Sequence, residues 1–366
     1  GLIHPDQNGF IPGRSTAANV RRLFHVIHGT PSYLNHAVAI SLDMEKAFDS
    51  LSWPFLFQVL RHMGFGTGVQ RWIQILYTRP SARVKVGQIF SQTLHIGRGT
   101  RQGCPLSPVL FALAMEPLAC HLRELGQLHG IGIQGFRHSA SLYADDVLVY
   151  LQDVNAGMNP LLSLLERFAG CSGLRLNRAK SCVFPLIPNA QTDIWPSMIG
   201  GIPLAPTSFK YLGVRIYHTA ADVVAGNLAH TVSGLRSSGL FWRRLPLSPM
   251  GRVAIAKMIA LPRLLYFFSA VPFPVPRRFF KDLNTWLSDL IWSNKRHRVA
   301  LHTLFLPLTR GGLAAPDYEA YYLASQLQWL MPWLSCSPSH ETRYIWETPD
   351  RTTIIRTVVF PPKKQI

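Results

Sequence analysis

Residues 141–150, SLYADDVLVY, set two adjacent aspartates between two apolar runs of strand length. Such a pattern folds as two short strands meeting around Ala144-Asp145-Asp146, so both carboxylates come to stand at strand ends. Neighbouring carboxylates in partly buried surroundings repel one another and lose hydration, so the pair calls for a metal ion or a basic partner. Taken alone, an Asp-Asp pair is explained as well by ordinary turn chemistry.

A second stretch changes that balance. HAVAISLDM (36–44) is an apolar run of strand length that ends on Asp43, and KAFDSLSWPFLFQVLRHMGF after it reads as a turn and an amphipathic helix. If the two strands are neighbours in one sheet, three carboxylates meet at one edge, where a pair of hard divalent cations resolves their repulsion. Magnesium takes carboxylate oxygens together with substrate phosphates, and two such ions activate a hydroxyl and stabilise a leaving oxygen. The trio by itself admits a nucleotidyl transferase, of DNA or RNA type, or a nuclease.

Composition narrows the partner. Lys and Arg number 37 against 19 Asp and Glu, a net charge of +18, which favours a polyanion: nucleic acid first, an anionic membrane surface second. The most apolar stretch, LLYFFSAVPFPVP (264–276), is too short for a bilayer span and is broken by prolines, and no secretory signal opens the chain. No membrane partner is expected. Five scattered cysteines form no C-x-x-C pair, so neither a zinc site nor a disulfide framework is indicated, and a reducing compartment fits best. Opening at Gly1 inside a patterned segment, the sequence reads as part of a longer open reading frame.

Along the chain, Ala17 to Ile27 has helical spacing, Arg83 to Ile96 reads as a hairpin, and 161–170 as a helix. Ser107 is expected to cap a helix, with Pro108 in its first turn, after the Gly- and Pro-rich loop GRGTRQGCPLSP. This order of strands and helices predicts an α+β sheet backed by helices. From 225 onward strand signals fade, and between residues 236 and 298 there are 12 Lys and Arg against two acids, which predicts a basic helical lobe. PFPVPRR (272–278) and CSPSHETR (336–343) read as linkers.

QNGFIPGRST, ISLDMEKAFDSL, GTRQGCPLSP, LYADDVLVY, SGLRLNRAKS and FKYLGV, in this order and at these separations, resemble the motif series of reverse transcriptases, and most closely those of LINE-type, non-long-terminal-repeat retrotransposons. The resemblance spans residue 7 to about 215, with a weaker continuation at GGLAAP (311–316). It implies a right-hand polymerase: partial fingers in 1–35, a palm with an antiparallel sheet in 36–222 holding an inserted fingers element at about 50–96, a basic helical thumb in 223–300, and an accessory segment in 301–366.

Carried onto this sequence, the resemblance makes Asp43, Asp145 and Asp146 the ligands of two magnesium ions, with manganese as a substitute. Phe48 falls where the family has an aromatic gate against the ribose 2′-hydroxyl. Gln102 and Gly103 match the loop over the incoming nucleotide, with Arg101 and Arg14 as phosphate contacts. Lys180 matches a proton donor to departing pyrophosphate, and Tyr211, Leu212 and Gly213 match the primer grip. Arg243, Arg244, Arg252 and Lys257 fall in the lobe expected to track a nucleic-acid backbone, where Trp242 is a candidate for stacking. Lys46 and Asp49 read as a local charge pair.

The implied partners are an RNA template, a DNA primer, their RNA-DNA heteroduplex and deoxynucleoside triphosphates; the implied location is the nucleus or a cytoplasmic ribonucleoprotein. The endonuclease and Cys/His cluster that family members carry are not found in these residues, so nicking of target DNA is expected from elsewhere. The competing readings are a silent retroelement remnant that only binds nucleic acid, and a group II intron-type relative within the same class.

Overall fold

The computed structural model describes residues 2–188, 195–293 and 295–334, with side chains through 329. CSPSHETR (336–343) and the rest of the expected accessory segment from residue 335 on lie outside the described residues. The chain divides into two compact units, one from Gly1–Asn19 and Gly29–Phe209, the other from Val20–His28 and Lys210 onward.

In chain order the first unit takes the start of α1 (Thr16–Gly29), then β1 (Val38–Leu42), α2 (Ala47–Ser50), α3 (Trp53–His62) and α4 (Thr67–Leu76). A solvent-exposed ribbon follows, β2 (Ser81–Ala82), β3 (Lys85–Val86), β4 (Ile89–Phe90) and β5 (Leu94–His95), in which Lys85 pairs with Phe90 and Ser81 with His95. Next come α5 (Ser107–His129), β6 (Ile131–Ile133), β7 (Phe136–His138), β8 (Ala140–Tyr143), β9 (Asp146–Leu151) and α6 (Val154–Ser172). β10 (Cys182–Pro185), β11 (Met198–Ile199), β12 (Ile202–Pro203) and the first half of β13 (Ser208–Tyr211) complete it.

Its centre is a four-stranded antiparallel sheet in the order β10-β1-β9-β8. VAISL of β1 is buried at nearly every position because neighbours flank it on both edges and packed side chains cover both faces, so polar alternation is absent. α5 packs on β8 and β9, and α3 and α6 pack on α5. Leu110, Phe111, Ala114, Leu118 and Leu122 recur at helical spacing along α5 and join Val38, Ile40, Leu42, Val147 and Val149 in one core.

Three expectations shift. α5 begins at Ser107 itself, with Leu106 in the cap position and no side-chain cap, so Ser107 is a buried first-turn residue rather than the cap. α6 starts seven residues before the expected 161, because Asp153 caps it through the Asn155 N–H (2.9 Å) and Pro160 is tolerated within it. The apolar run at 264 belongs to a 22-residue helix, long and apolar enough by length and composition to cross a membrane.

That helix is α8 (Pro249–Ala270), one of four that build the second unit with α7 (Ala220–Arg243), α9 (Arg277–Trp292) and α11 (Tyr318–Leu334). β14 (Val214–Tyr217) packs on α7, and a short α10 (Leu301–Phe305) precedes α11. α8 touches α7, α9 and α11, and buries Val253, Ala256, Ala260, Leu264 and Phe268 among them, so it is the core helix of this unit. No strand follows Tyr217 among the described residues, as the fading strand signal predicts.

Candidate active site

β1 meets β9 with Leu42 opposite Val147, so one residue further on Asp43 leaves its strand beside Asp146. Tyr143 pairs with Asp146 to close the β8–β9 hairpin over a two-residue loop, Ala144-Asp145. Three carboxylates distant in sequence therefore gather at one sheet edge. Asp43 is fixed from behind: its N–H donates to Ser181 Oγ (3.0 Å), its carbonyl accepts from the Asn177 N–H (2.8 Å), and Ser181 Oγ donates to the Asn177 carbonyl (2.7 Å).

The carboxylates sense each other. Burial, and then the charges of Asp145 and Asp43, push the Asp146 carboxyl up to about 6. Asp145 is raised as well, chiefly by burial, with Asp43 adding to the shift against a backbone hydrogen bond that lowers it. Among the described residues no group of three or more His, Cys, Asp or Glu side chains is arranged to hold a metal ion, so the three aspartates do not by themselves make a metal site. An all-oxygen donor set with unrelieved repulsion fits a hard cation that completes its shell with water and substrate phosphate.

Asp43 and Asp145 open onto a cleft of about 730 Å³, also lined by Glu45, Lys46, Arg98, Arg175, Asn177 and Lys180. Lys180 lines the same cleft, and its backbone N–H donates to Asn177 Oδ1 at 3.2 Å. Sequence reasoning left Arg98 and Arg175 out, although both stand inside or beside quoted motifs; nothing in their spacing distinguishes them from solvated arginines. A cleft with acids at one place and four cations around them suits a substrate whose phosphates bridge metal and protein.

Phe48 stands on α2, half-buried, stacked on Phe111 (centroids 4.4 Å apart) and edge-on to Phe10 (6.2 Å). Its carbonyl accepts from both the N–H (2.6 Å) and the hydroxyl (3.2 Å) of Thr100. Trp53 Nε1 donates to the Gly99 carbonyl (2.7 Å), and Gln102 Nε2 reaches Asp49 Oδ1 at 3.3 Å. The loop 97–103 is therefore fastened to the segment that carries Phe48. Gly99 has φ of 88° and lies so close to Asp49 that a Cβ would stand 2.7 Å from the Asp49 carbonyl oxygen. The Asp49 carboxylate accepts from Gln102, while the Asp49 N–H donates to the Lys46 carbonyl (2.8 Å). Arg101, Gln102 and Gly103 are exposed, and Gly103 has φ of 82°, a conformation that favours glycine.

Three expected phosphate contacts are engaged otherwise, and the first, Arg101, donates from Nη2 to the Leu76 carbonyl (2.8 Å) while staying exposed. Arg14 donates to the carbonyls of His4, Gln7 and Ile3 and serves to fold the N-terminal segment. Arg252 is buried, donating to the carbonyls of Leu247, Leu290 and Leu245. A guanidinium matches clustered carbonyls as well as phosphates, and sequence does not separate the two uses. Arg243 is half-buried and approaches Asp289 at 3.8 Å, Trp242 packs on Phe241, and Arg244 and Lys257 are exposed. Tyr211, Leu212 and Gly213 form the β13–β14 turn, where Leu212 and Gly213 have positive φ and the Tyr266 hydroxyl donates to the Leu212 carbonyl.

The family model for reverse transcriptase (RNA-dependent DNA polymerase) matches residues 1–216, well over half of the chain. The chain belongs to the reverse transcriptase family. It is 29% identical over 343 residues to the transposon TX1 uncharacterized 149 kDa protein of Xenopus laevis, covering 92% of this chain and 26% of that protein. Against the Pol polyprotein of retrotransposable element R2DM of Drosophila melanogaster it is 27% identical over 341 residues, covering 90% and 30%. Against that of element R2 of Nasonia vitripennis it is 25% identical, covering 87% and 31%. The chain thus spans about a quarter to a third of the length of these curated relatives. One of these relatives is a transposon protein and two are Pol polyproteins of retrotransposable elements. Apo telomerase from Candida Tropicalis matches at a TM-score of 0.39 and 9% identity over 90% of this chain and 56% of that one, too loosely to add to this assignment. Members of the family generally use divalent metal ions.

Proposed function

We propose that the chain is the RNA-directed DNA polymerase core of a non-long-terminal-repeat retrotransposon, adding deoxynucleotides to a primer 3′-hydroxyl on an RNA template. The observation that carries the reading is the convergence of Asp43, Asp145 and Asp146 at one sheet edge, with Asp43 and Asp145 on a cleft ringed by cations. In this reading residues 1–35 and about 50–96 supply fingers, the rest of 36–222 the palm, the basic helices of 223–300 a thumb, and 301–366 an accessory segment.

Asp43, Asp145 and Asp146 would hold two magnesium ions, which supply charge neutralisation at the attacking and leaving oxygens. The remaining work belongs to side chains. Lys46, Arg98 and Arg175, which line the cleft, bind the triphosphate, and Lys180 from the same lining gives a proton to departing pyrophosphate. Phe48, backed by Phe111, closes the space that a 2′-hydroxyl would need. Gln102 and Gly103 line the approach of the nucleotide, and the turn at Tyr211–Gly213 is assigned to holding the primer end. Partners are an RNA template, a DNA primer and their heteroduplex; the working location is the nucleus or a cytoplasmic ribonucleoprotein.

Primer extension on an RNA template with deoxynucleotides and magnesium tests this. Asp145→Asn is expected to reduce extension by at least roughly 10²-fold, the equivalent of about 3 kcal/mol of lost transition-state stabilisation. Duplex binding should persist. Extension that survives the substitution overturns the reading, and tight salt-sensitive binding without incorporation selects the silent remnant.

A further inference from the structure

The sequence motif QNGF (7–10) has no part in the chemistry above, yet it abuts the carboxylate turn. Gln7 is 1% exposed, and its Oε1 accepts from the Ala144 N–H (2.9 Å) and from the Gly9 N–H (2.8 Å). Both partners are N–H donors, which fixes the orientation of the carboxamide. Gln7 Nε2 is left buried with no hydrogen-bond partner among the described residues, so the fold uses only the acceptor end. The backbone around it is pinned to the hairpin too: the Leu142 N–H donates to the Asp6 carbonyl (2.8 Å) and the Asn8 N–H to the Leu142 carbonyl (2.9 Å). Asn8 Nδ2 in turn donates to Asn19 Oδ1, and Asn19 Nδ2 returns to the Leu142 carbonyl at 2.9 Å.

Ala144 needs such a hold. It has φ of 54°, and it is the first central residue of a two-residue hairpin loop, a position at which positive φ favours glycine. A side-chain-bearing residue stays in that region only where its surroundings over-determine it. Gly9 lets the bracket close, since a Cβ there would collide with Ala144 N.

We propose that Gln7 is a positioning residue that holds Ala144 in its left-handed conformation, and thereby fixes Asp145 and Asp146 for cation and triphosphate binding. This rests on the polymerase reading. Gln7→Met preserves volume and removes the acceptor. It is expected to slow extension roughly tenfold and to raise the magnesium concentration for half-maximal rate several-fold, with unchanged affinity for primer–template. It removes one unsatisfied buried donor but leaves the Ala144 and Gly9 N–H groups without their acceptor, so its melting temperature should fall as well. Glycine adopts positive φ freely, so adding Ala144→Gly should restore most of the lost rate and the magnesium requirement. A Gln7→Met enzyme within twofold of wild type overturns the proposal, as does a loss that Ala144→Gly leaves in place. Should Gln7→Met alone not fold, a folded and active double variant supports the proposal and an unfolded one overturns it. A wild-type chain that extends no primer refutes the polymerase reading instead.

Discussion

Asp146 stands at the exposed end of β9, yet its carboxyl titrates near 6 because the strand ends strip its hydration and two further carboxylates share the edge. Its folded value exceeds the ordinary 3.8, so the folded chain holds this proton more tightly than the unfolded one. The linked stability is full below 3.8 and is lost as pH rises through about 6. Without divalent cations, Asp146→Asn should therefore melt higher than wild type at about pH 7.5, and the gap should close near pH 4. Magnesium should raise the wild-type melting temperature more than that of the variant. Thermal melts across this range check it; a gap that does not change with pH would mean that Asp146 is free of its neighbours.

At the scale of elements, α2 and loop 97–103 behave as one piece, because Thr100 makes two hydrogen bonds to the Phe48 carbonyl and Trp53 holds Gly99. Thr100→Val keeps the shape, removes the hydroxyl and leaves the backbone bond. It should relax discrimination between deoxy- and ribonucleotides by a few-fold, a fraction of the change from Phe48→Ala, consistent with about 1 kcal/mol for a neutral hydrogen bond. Paired kcat/KM values for the two sugars decide it, and equal ratios in Thr100→Val and wild type would detach the loop from selection. The strands that carry the three acids were legible in sequence, since β1, β8 and β9 are apolar runs bounded by acids and turns. The bracket behind them was not. Its contacts join residue 7 to residue 144 through one carboxamide, and no local period reports such a pairing. α6 extends upstream of the 161–170 periodicity because its cap, Asp153, lies eight residues ahead of that stretch and Pro160 is tolerated inside the helix.

For the whole molecule, the net charge of +18 sets the expectation of binding that is tight, tolerant of sequence and steeply dependent on salt. Composition alone treats every cation as equivalent, and the second unit shows that they are not. Arg244 and Lys257 are exposed, whereas Arg252 is buried among three backbone carbonyls. Exposed cations that neutralise phosphates release counterions, so Arg244→Gln and Lys257→Gln should each lower the slope of log affinity against log salt by about 1. Arg252→Gln should leave that slope unchanged. It should instead cost roughly 3 kcal/mol of folding stability, since the carbonyls lose charge-assisted donors in a buried setting. Salt titrations of heteroduplex binding, run beside thermal melts of the same three variants, separate the two roles. A reduced slope for Arg252→Gln without loss of stability would return that guanidinium to the binding surface, and the carbonyl contacts would then be incidental to it.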